Sequence, residues 1–362
     1  MQGSTTPQIE IVDSIRVNYL GQLTIRDYSP EKNTFLAQDF SSETIIEFDG
    51  SGNILHSFVL QQDGPNRIES RNMGLNYFQD SLALILSQHK IVFFSRTGEV
   101  KGRIEIGENA FYINGIRGKG IFPLGNFIAY LRPEDFSHIE DYEALFKDVY
   151  SKPLLEIFDP VSGTKKQTME FPKSSIYNIK GYRYWTFPVI NNSGEDYHLF
   201  LNGEKQFYHY RESGSELILQ GTLEIPIENF IQRNPVPFNQ SETYWEANRN
   251  IIQGSIKEVF PLDSGIVILY AKGIPEEITQ RYKQDDVEER EEMIQKHNPG
   301  YLAIFDKTHQ LLTWDVLAPK GLIFTSIVNN KGEIIVLKDQ EYYGLEDDFI
   351  TFYRLRVNWS HN

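Results

Sequence analysis

One pattern recurs along the chain: two or three apolar residues, an aromatic, a polar residue, then a glycine-containing turn and a further strand-like run. It reads Ile45-Ile46-Glu47-Phe48-Asp49-Gly50-Ser51-Gly52, then Ile91-Val92-Phe93-Phe94-Ser95-Arg96-Thr97-Gly98. It returns as Leu155-Glu156-Ile157-Phe158-Asp159-Pro160-Val161-Ser162-Gly163 and as Phe207-Tyr208-His209-Tyr210-Arg211-Glu212-Ser213-Gly214. Later copies are Leu302-Ala303-Ile304-Phe305-Asp306-Lys307-Thr308-His309 and the weaker Ile350-Thr351-Phe352-Tyr353-Arg354. Alternation of apolar and polar positions, with enrichment in β-branched and aromatic residues, predicts short strands, and Gly, Asn and Asp mark the turns between them. In the second unit the predicted strands are 74–79, 81–87, 90–95 and 99–106.

The repeated aromatics Phe48, Phe94, Phe158, Tyr210, Phe305 and Tyr353 are separated by 46, 64, 52, 95 and 48 residues. A basal period of about 50 with enlarged intervals is the signature of a propeller carrying loop insertions. The last unit ends one strand short, and the alternating stretch from Gln8 to Val17 has no hairpin partner nearby. Pairing the two closes the ring and removes its exposed edges. The expectation is therefore an all-β, six-bladed propeller of four-stranded antiparallel blades, closed by the N-terminal strand. Residues 1–8 form a flexible tail and 9–359 a single domain, with insertions at 133–152, 228–255 and 274–298. The first insertion reads as a short acidic helix, and the third as a helix with Ile278, Tyr282 and Met293 among many charges. All three fall on connections that share one face of a propeller, and function tends to sit on such loops.

Composition narrows the function. Lys and Arg number 35 against 50 Asp and Glu, a net charge of −15. That surface repels a phosphate backbone and no basic tract offsets it, so nucleic-acid binding is excluded as a general role. No apolar run approaches the roughly 20 residues of a membrane helix. The chain has no cysteine, which removes disulfides, thiolate nucleophiles and thiolate zinc sites, and fits export to an oxidising compartment. The start, Met1 to Pro7, lacks the pattern of a signal peptide. The chain is then either cytoplasmic or exported by a signal outside this sequence.

Motifs for catalysis are missing. The eight histidines show no HExxH and no close pair on one helix, so no metal site is predicted. There is no GxSxG elbow and no phosphate-cradling glycine loop before a helix. Asp49 to Asn53 and Asp159 to Gly163 superficially resemble calcium loops, but they lack alternating acidic ligands and read as hairpin turns. The pattern leaves room for a structural calcium held by carbonyls in the central channel; no other cofactor is expected.

Cationic and aromatic residues on predicted inner strands are the binding candidates. These are Arg117 and Lys119 in blade three, Tyr182, Arg183 and Trp185 in blade four, and Lys257 in blade five. In an acidic protein, cations near a channel mouth suit an anionic or sugar ligand, with rings stacking on its apolar faces. The alternative is that they pair with carboxylates of neighbouring blades. Tyr244 and Trp245 on the long connection serve either as a recognition surface or as an apolar pin.

The stretch Phe58-Val59-Leu60-Gln61-Gln62-Asp63-Gly64-Pro65-Asn66-Arg67-Ile68, followed by Val92 to Gly98, resembles a family: the six-bladed, TolB-like β-propeller lipoproteins of Bacteroidota, whose domain has no assigned function. Their Gly-Pro signature after the first blade is matched by Asp63-Gly64-Pro65-Asn66, with Arg67 where a small residue is usual. Asn66 and Arg67 join the binding candidates. The resemblance implies a secreted, lipid-anchored protein of the periplasm or outer membrane and adds no catalytic residues to carry over; a monomer is expected. The expected function is a non-enzymatic envelope protein that binds a protein or glycan on the elaborated face. The alternatives are an envelope glycoside hydrolase or polysaccharide lyase with its site at the channel mouth, and a cytoplasmic scaffold.

Overall fold

The structure, a computed structural model, describes residues 7–61, 63–64, 66–68, 72–79, 81–86, 90–105, 110–111, 121–135, 141–178, 181–184, 186, 188–283 and 286–358. Six four-stranded antiparallel sheets form the blades of a propeller. Blade one is built from Thr24–Ser29, Thr34–Asp39, Thr44–Asp49 and Ile54–Val59, hydrogen-bonded in that order from the axis outward. The inner strands of the next five are Asn72–Phe78, Ile121–Leu124, Val189–Ser193, Ile252–Leu262 and Leu322–Val328.

The repeated sequence unit is the third strand of each blade and its following turn. Phe48, Phe94, Phe158, Tyr210 and Phe305 are all buried there, where strand faces of adjacent blades meet. In blade six the equivalent buried ring is Phe352 rather than Tyr353, which is only half-buried. In blades one, two, three and five the turn is closed by the polar residue that starts it. Asp49 Oδ1 accepts from the backbone N–H of Ser51 at 2.8 Å and of Asn53 at 3.0 Å. Asp306 Oδ1 does the same for Thr308 at 2.8 Å and Gln310 at 3.0 Å. These carboxylates satisfy turn amides, the local bonding that makes Asp a turn former, which bears out the hairpin reading of Asp49 to Asn53. Gly52 is fixed by the same geometry: φ is +90°, and a Cβ would lie 2.0 Å from the carbonyl oxygen of Arg16.

The ring closes as the pattern predicts. Gln8–Val17 pairs antiparallel with Ile350–Asn358, from Gln8 opposite Asn358 to Val17 opposite Ile350, and becomes the outer strand of blade six. Arg354 Nη1 contacts Asp13 Oδ2 at 2.6 Å across this seam. Ile15 and Val17 are fully buried in a cluster that also holds Phe48 and Phe352.

Insertions occupy the face where the inner strands begin. Helix Tyr142–Ser151 separates the second and third strands of blade three, capped by Asp141, which accepts from Ala144 N–H. The third insertion is two helices, not one: Glu276–Thr279 and Val287–His297. The second helix buries only Met293, its anchor, and leaves its acidic face in solvent. Ile274 still belongs to the preceding strand, and 228–255 ends early because the inner strand of blade five begins at Ile252. Both boundaries move because strand pairing outlasts the apolar pattern visible in sequence. A short helix at Gln340–Tyr343 on the same face of blade six was not anticipated. Among the described residues, no helix is long and apolar enough to cross a membrane.

Candidate functional site: a cavity over blades five, six and one

Two inner strands share a local irregularity. In blade one Ile25 pairs with Ala37 and Asp27 with Leu36, so Arg26 is an extra residue without a partner on the second strand. In blade five Ile256 pairs with Tyr270 and Glu258 with Leu269, so Lys257 is the extra residue of a matching bulge. A β-bulge of this kind bends the strand and re-aims the side chain. The two blades flank blade six, and both bulged cations line one cavity of about 750 Å³. Its walls are largely apolar and include Leu269, Pro299, Leu322, Phe324 and Leu337. Pro299 follows the helical insertion of blade five, so the elaborated face supplies one rim.

Each cation is followed by a carboxylate that fastens blades together. Asp27 Oδ2 accepts from the backbone N–H of Tyr77 in blade two at 2.9 Å. Glu258 Oε1 accepts from Asn191 Nδ2 in blade four at 2.6 Å, and its Oε2 from Ser326 Oγ in blade six at 2.7 Å. The buried Glu258 is thus held by both neighbours of its own blade.

Arg26 differs. It is only 9% exposed, and its guanidinium lies 5.7 Å from the Phe40 ring centroid. Among the described residues the guanidinium has no hydrogen-bond acceptor. Burial pulls its pKa down to about 10 against the pull of Asp27, so it remains charged at neutral pH. A charged donor set facing an apolar-walled cavity is built to meet an anion.

At the opposite end of the axis, all six blades contribute to a second cavity of about 430 Å³, lined by Asn76, Asn191 and Asn192 among others. Asn191 Oδ1 and Asn192 Oδ1 are buried there without hydrogen-bond partners.

The candidates read from sequence divide into three groups. Lys257 lines the first cavity. Tyr182, Arg183, Tyr244 and Trp245 gather elsewhere, in the connections flanking blade four. Tyr182 and Arg183 do not lie on an inner strand: that strand is Val189–Ser193, and Tyr182 instead bridges to Val236. Tyr182 packs on Phe146 at 4.9 Å and on Tyr244 at 5.5 Å, while Arg183 Nη1 donates to the Arg233 carbonyl at 2.7 Å. Trp245, half exposed, stands 4.6 Å from Tyr184 and 4.9 Å from the guanidinium of Arg233. Asn66 and Arg67 sit in the connection from blade one to blade two, where Asn66 Oδ1 accepts from Val100 N–H at 3.1 Å and Arg103 Nη2 donates to the Arg67 carbonyl at 3.2 Å. Arg117, Lys119 and Trp185 lie outside the described residues.

Sequence reasoning missed Arg26. The available signal was the parallel between Ile25-Arg26-Asp27 and Ile256-Lys257-Glu258, an apolar, cationic and acidic triplet at the same place in two blades.

No family model matches the chain, and no curated protein matches it in sequence. Solved structures do share its fold. A member of the DUF4221 family from Bacteroides vulgatus superposes with a TM-score of 0.69 at 8% identity, covering 99% of this chain and 100% of that one. A candidate exported protein of Bacteroides fragilis gives a TM-score of 0.58 at 12% identity, covering 99% of this chain and 97% of that one. At such identities the likeness is one of fold. It is the six-bladed fold of the Bacteroidota propellers that the sequence resembles.

Proposed function

We propose that this protein is a binding protein of the cell envelope, and that the cavity over blades five, six and one takes a small acidic glycan segment. The observation that carries the reading is Arg26: a buried, charged guanidinium with no hydrogen-bond acceptor among the described residues, facing an apolar-walled space. A volume near 750 Å³ falls within the usual range for small-ligand sites. The carboxylates on this wall support binding over general acid–base chemistry. Glu258 is held by Asn191 and Ser326, and Asp339 caps a helix through Tyr342 N–H at 3.1 Å. Among the described residues, the carboxyls whose pKa burial raises, Glu204 and Glu212, line neither cavity. The cysteine-free composition and the fold shared with a candidate exported protein support envelope placement.

Matched acidic and neutral oligosaccharides titrated calorimetrically against the full chain test the reading. The acidic series should bind, and Arg26→Gln should weaken it by about 10- to 100-fold, the worth of a charged hydrogen bond. Trp245→Ala, away from the cavity, should leave affinity unchanged. Equal binding of both series, unaffected by Arg26→Gln, would overturn it.

A further inference from the structure

Three histidines, two from blade four and one from blade five, converge between these blades. His198 lies on the second strand of blade four and His209 on the third, directly opposite in register. His309 comes from the turn between the third and fourth strands of blade five. One ring nitrogen from each lies within 4.8 Å of the others. The His209 and His309 ring centroids are 4.5 Å apart, and the His198 and His209 rings stack at 5.4 Å.

Two further observations separate this group from ordinary core packing. His198 is 2% exposed, yet both its ring nitrogens are buried without a hydrogen-bond partner. Unmet polar atoms in a native interior call for a reason, a bound ion among them. Secondly, His309 occupies the turn position that is Gly52 in blade one and Gly98 in blade two, and takes the left-handed conformation there with φ of +64°. A side chain is held in a backbone conformation that favours glycine, and strain of that kind gathers at functional sites.

We propose that His198, His209 and His309 bind a divalent transition metal ion of the Zn²⁺ class, with Asp196 as the carboxylate that orients His209. Imidazole nitrogens are preferred ligands for such ions, and three of them with one open position form a recognised zinc arrangement. Tetrahedral bonds of about 2.0–2.1 Å place ligand nitrogens roughly 3.3 Å apart, which modest side-chain rotation reaches. Asp196 Oδ1 lies 2.7 Å from His209 Nε2, the carboxylate–histidine contact that fixes tautomer and ring orientation at metal sites. Arg211 Nε also donates to Asp196 Oδ1, at 3.2 Å, which favours this supporting role over direct ligation. The half-exposed His309 puts the open position on the solvent side.

The full chain, stripped with chelator and dialysed, is titrated with Zn²⁺ by calorimetry and with Co²⁺ by visible absorption. One ion per chain should bind, with the intensified Co²⁺ bands of a tetrahedral site, and thermal unfolding should shift upward with Zn²⁺. Asp196→Asn should weaken affinity about 10- to 100-fold. His309→Asn, which keeps a residue tolerant of the left-handed conformation, should abolish the site while circular dichroism stays unchanged. His198→Phe, which fills the same space, should do likewise. Absence of stoichiometric binding by the wild type, or binding that survives His309→Asn, would refute the site.

Discussion

The Phe48 ring of blade one stacks on the Phe352 ring of blade six, with centroids 5.7 Å apart and planes 13° from parallel. The two residues stand near opposite ends of the chain, and their contact exists only when the ring is closed. Both are fully buried. Phe352→Ala should therefore cost about 3–5 kcal/mol, the usual range for a large core truncation. Removing residues 1–18 should destabilise more severely, since it exposes the edge of Ile350–Asn358 as well as the core around Ile15 and Val17. Urea denaturation monitors both; unchanged midpoints would contradict closure as the source of stability.

Glu258 joins three blades through Asn191 and Ser326. Glu258→Leu should destabilise the fold by about 2–3 kcal/mol, because buried polar partners lose a charged acceptor. The double-mutant cycle with Ser326→Ala should show coupling, since the two residues share one hydrogen bond at 2.7 Å. Additive effects in the cycle would assign the loss to packing alone.

Asp39 gives the stability a defined acid dependence. Its Oδ1 accepts from Ser41 N–H at 2.9 Å and Ser41 Oγ at 2.6 Å, and its Oδ2 from Tyr19 OH at 2.9 Å. Burial opposes ionisation, but these bonds outweigh it and hold the carboxyl down to about 2. The folded pKa lies below the unfolded value of about 3.9, so the contribution is fully present above about pH 4 and lost as pH falls through 2. It amounts to about 2 kcal/mol. Unfolding free energy measured from pH 5 to 2 should fall less steeply in Asp39→Asn than in wild type; parallel curves would show that Asp39 is not the titrating group.

Much of the architecture was legible because a blade repeats a local rule. In blades one, two, three and five the third strand supplies a buried aromatic and then a turn residue whose side chain caps the turn amides, so Phe48-Asp49 and Phe305-Asp306 look alike in sequence. The candidate site was only partly legible. Lys257 could be placed on an inner strand by its apolar neighbours, but nothing local marks a bulge, so nothing in the sequence singles out Arg26. Tyr182 and Arg183 read as inner-strand residues, and Tyr244 and Trp245 as part of a long connection, two separate candidates in sequence. Their grouping, away from the cavity, follows from packing on Phe146 and Arg233 that spacing does not encode.

The sequence by itself determined the period, the antiparallel strands, the turns and the closing strand, because alternation and turn chemistry act between near neighbours. The missing cysteines and the net charge of −15 bounded the function in the same way. Tertiary structure decided where chemistry accumulates. Arg26 and Lys257 share a cavity although 231 positions separate them in the chain, and His198, His209 and His309 meet across a blade boundary. Such encounters depend on how twisted sheets stack around an axis, a relation between distant segments that no local pattern contains.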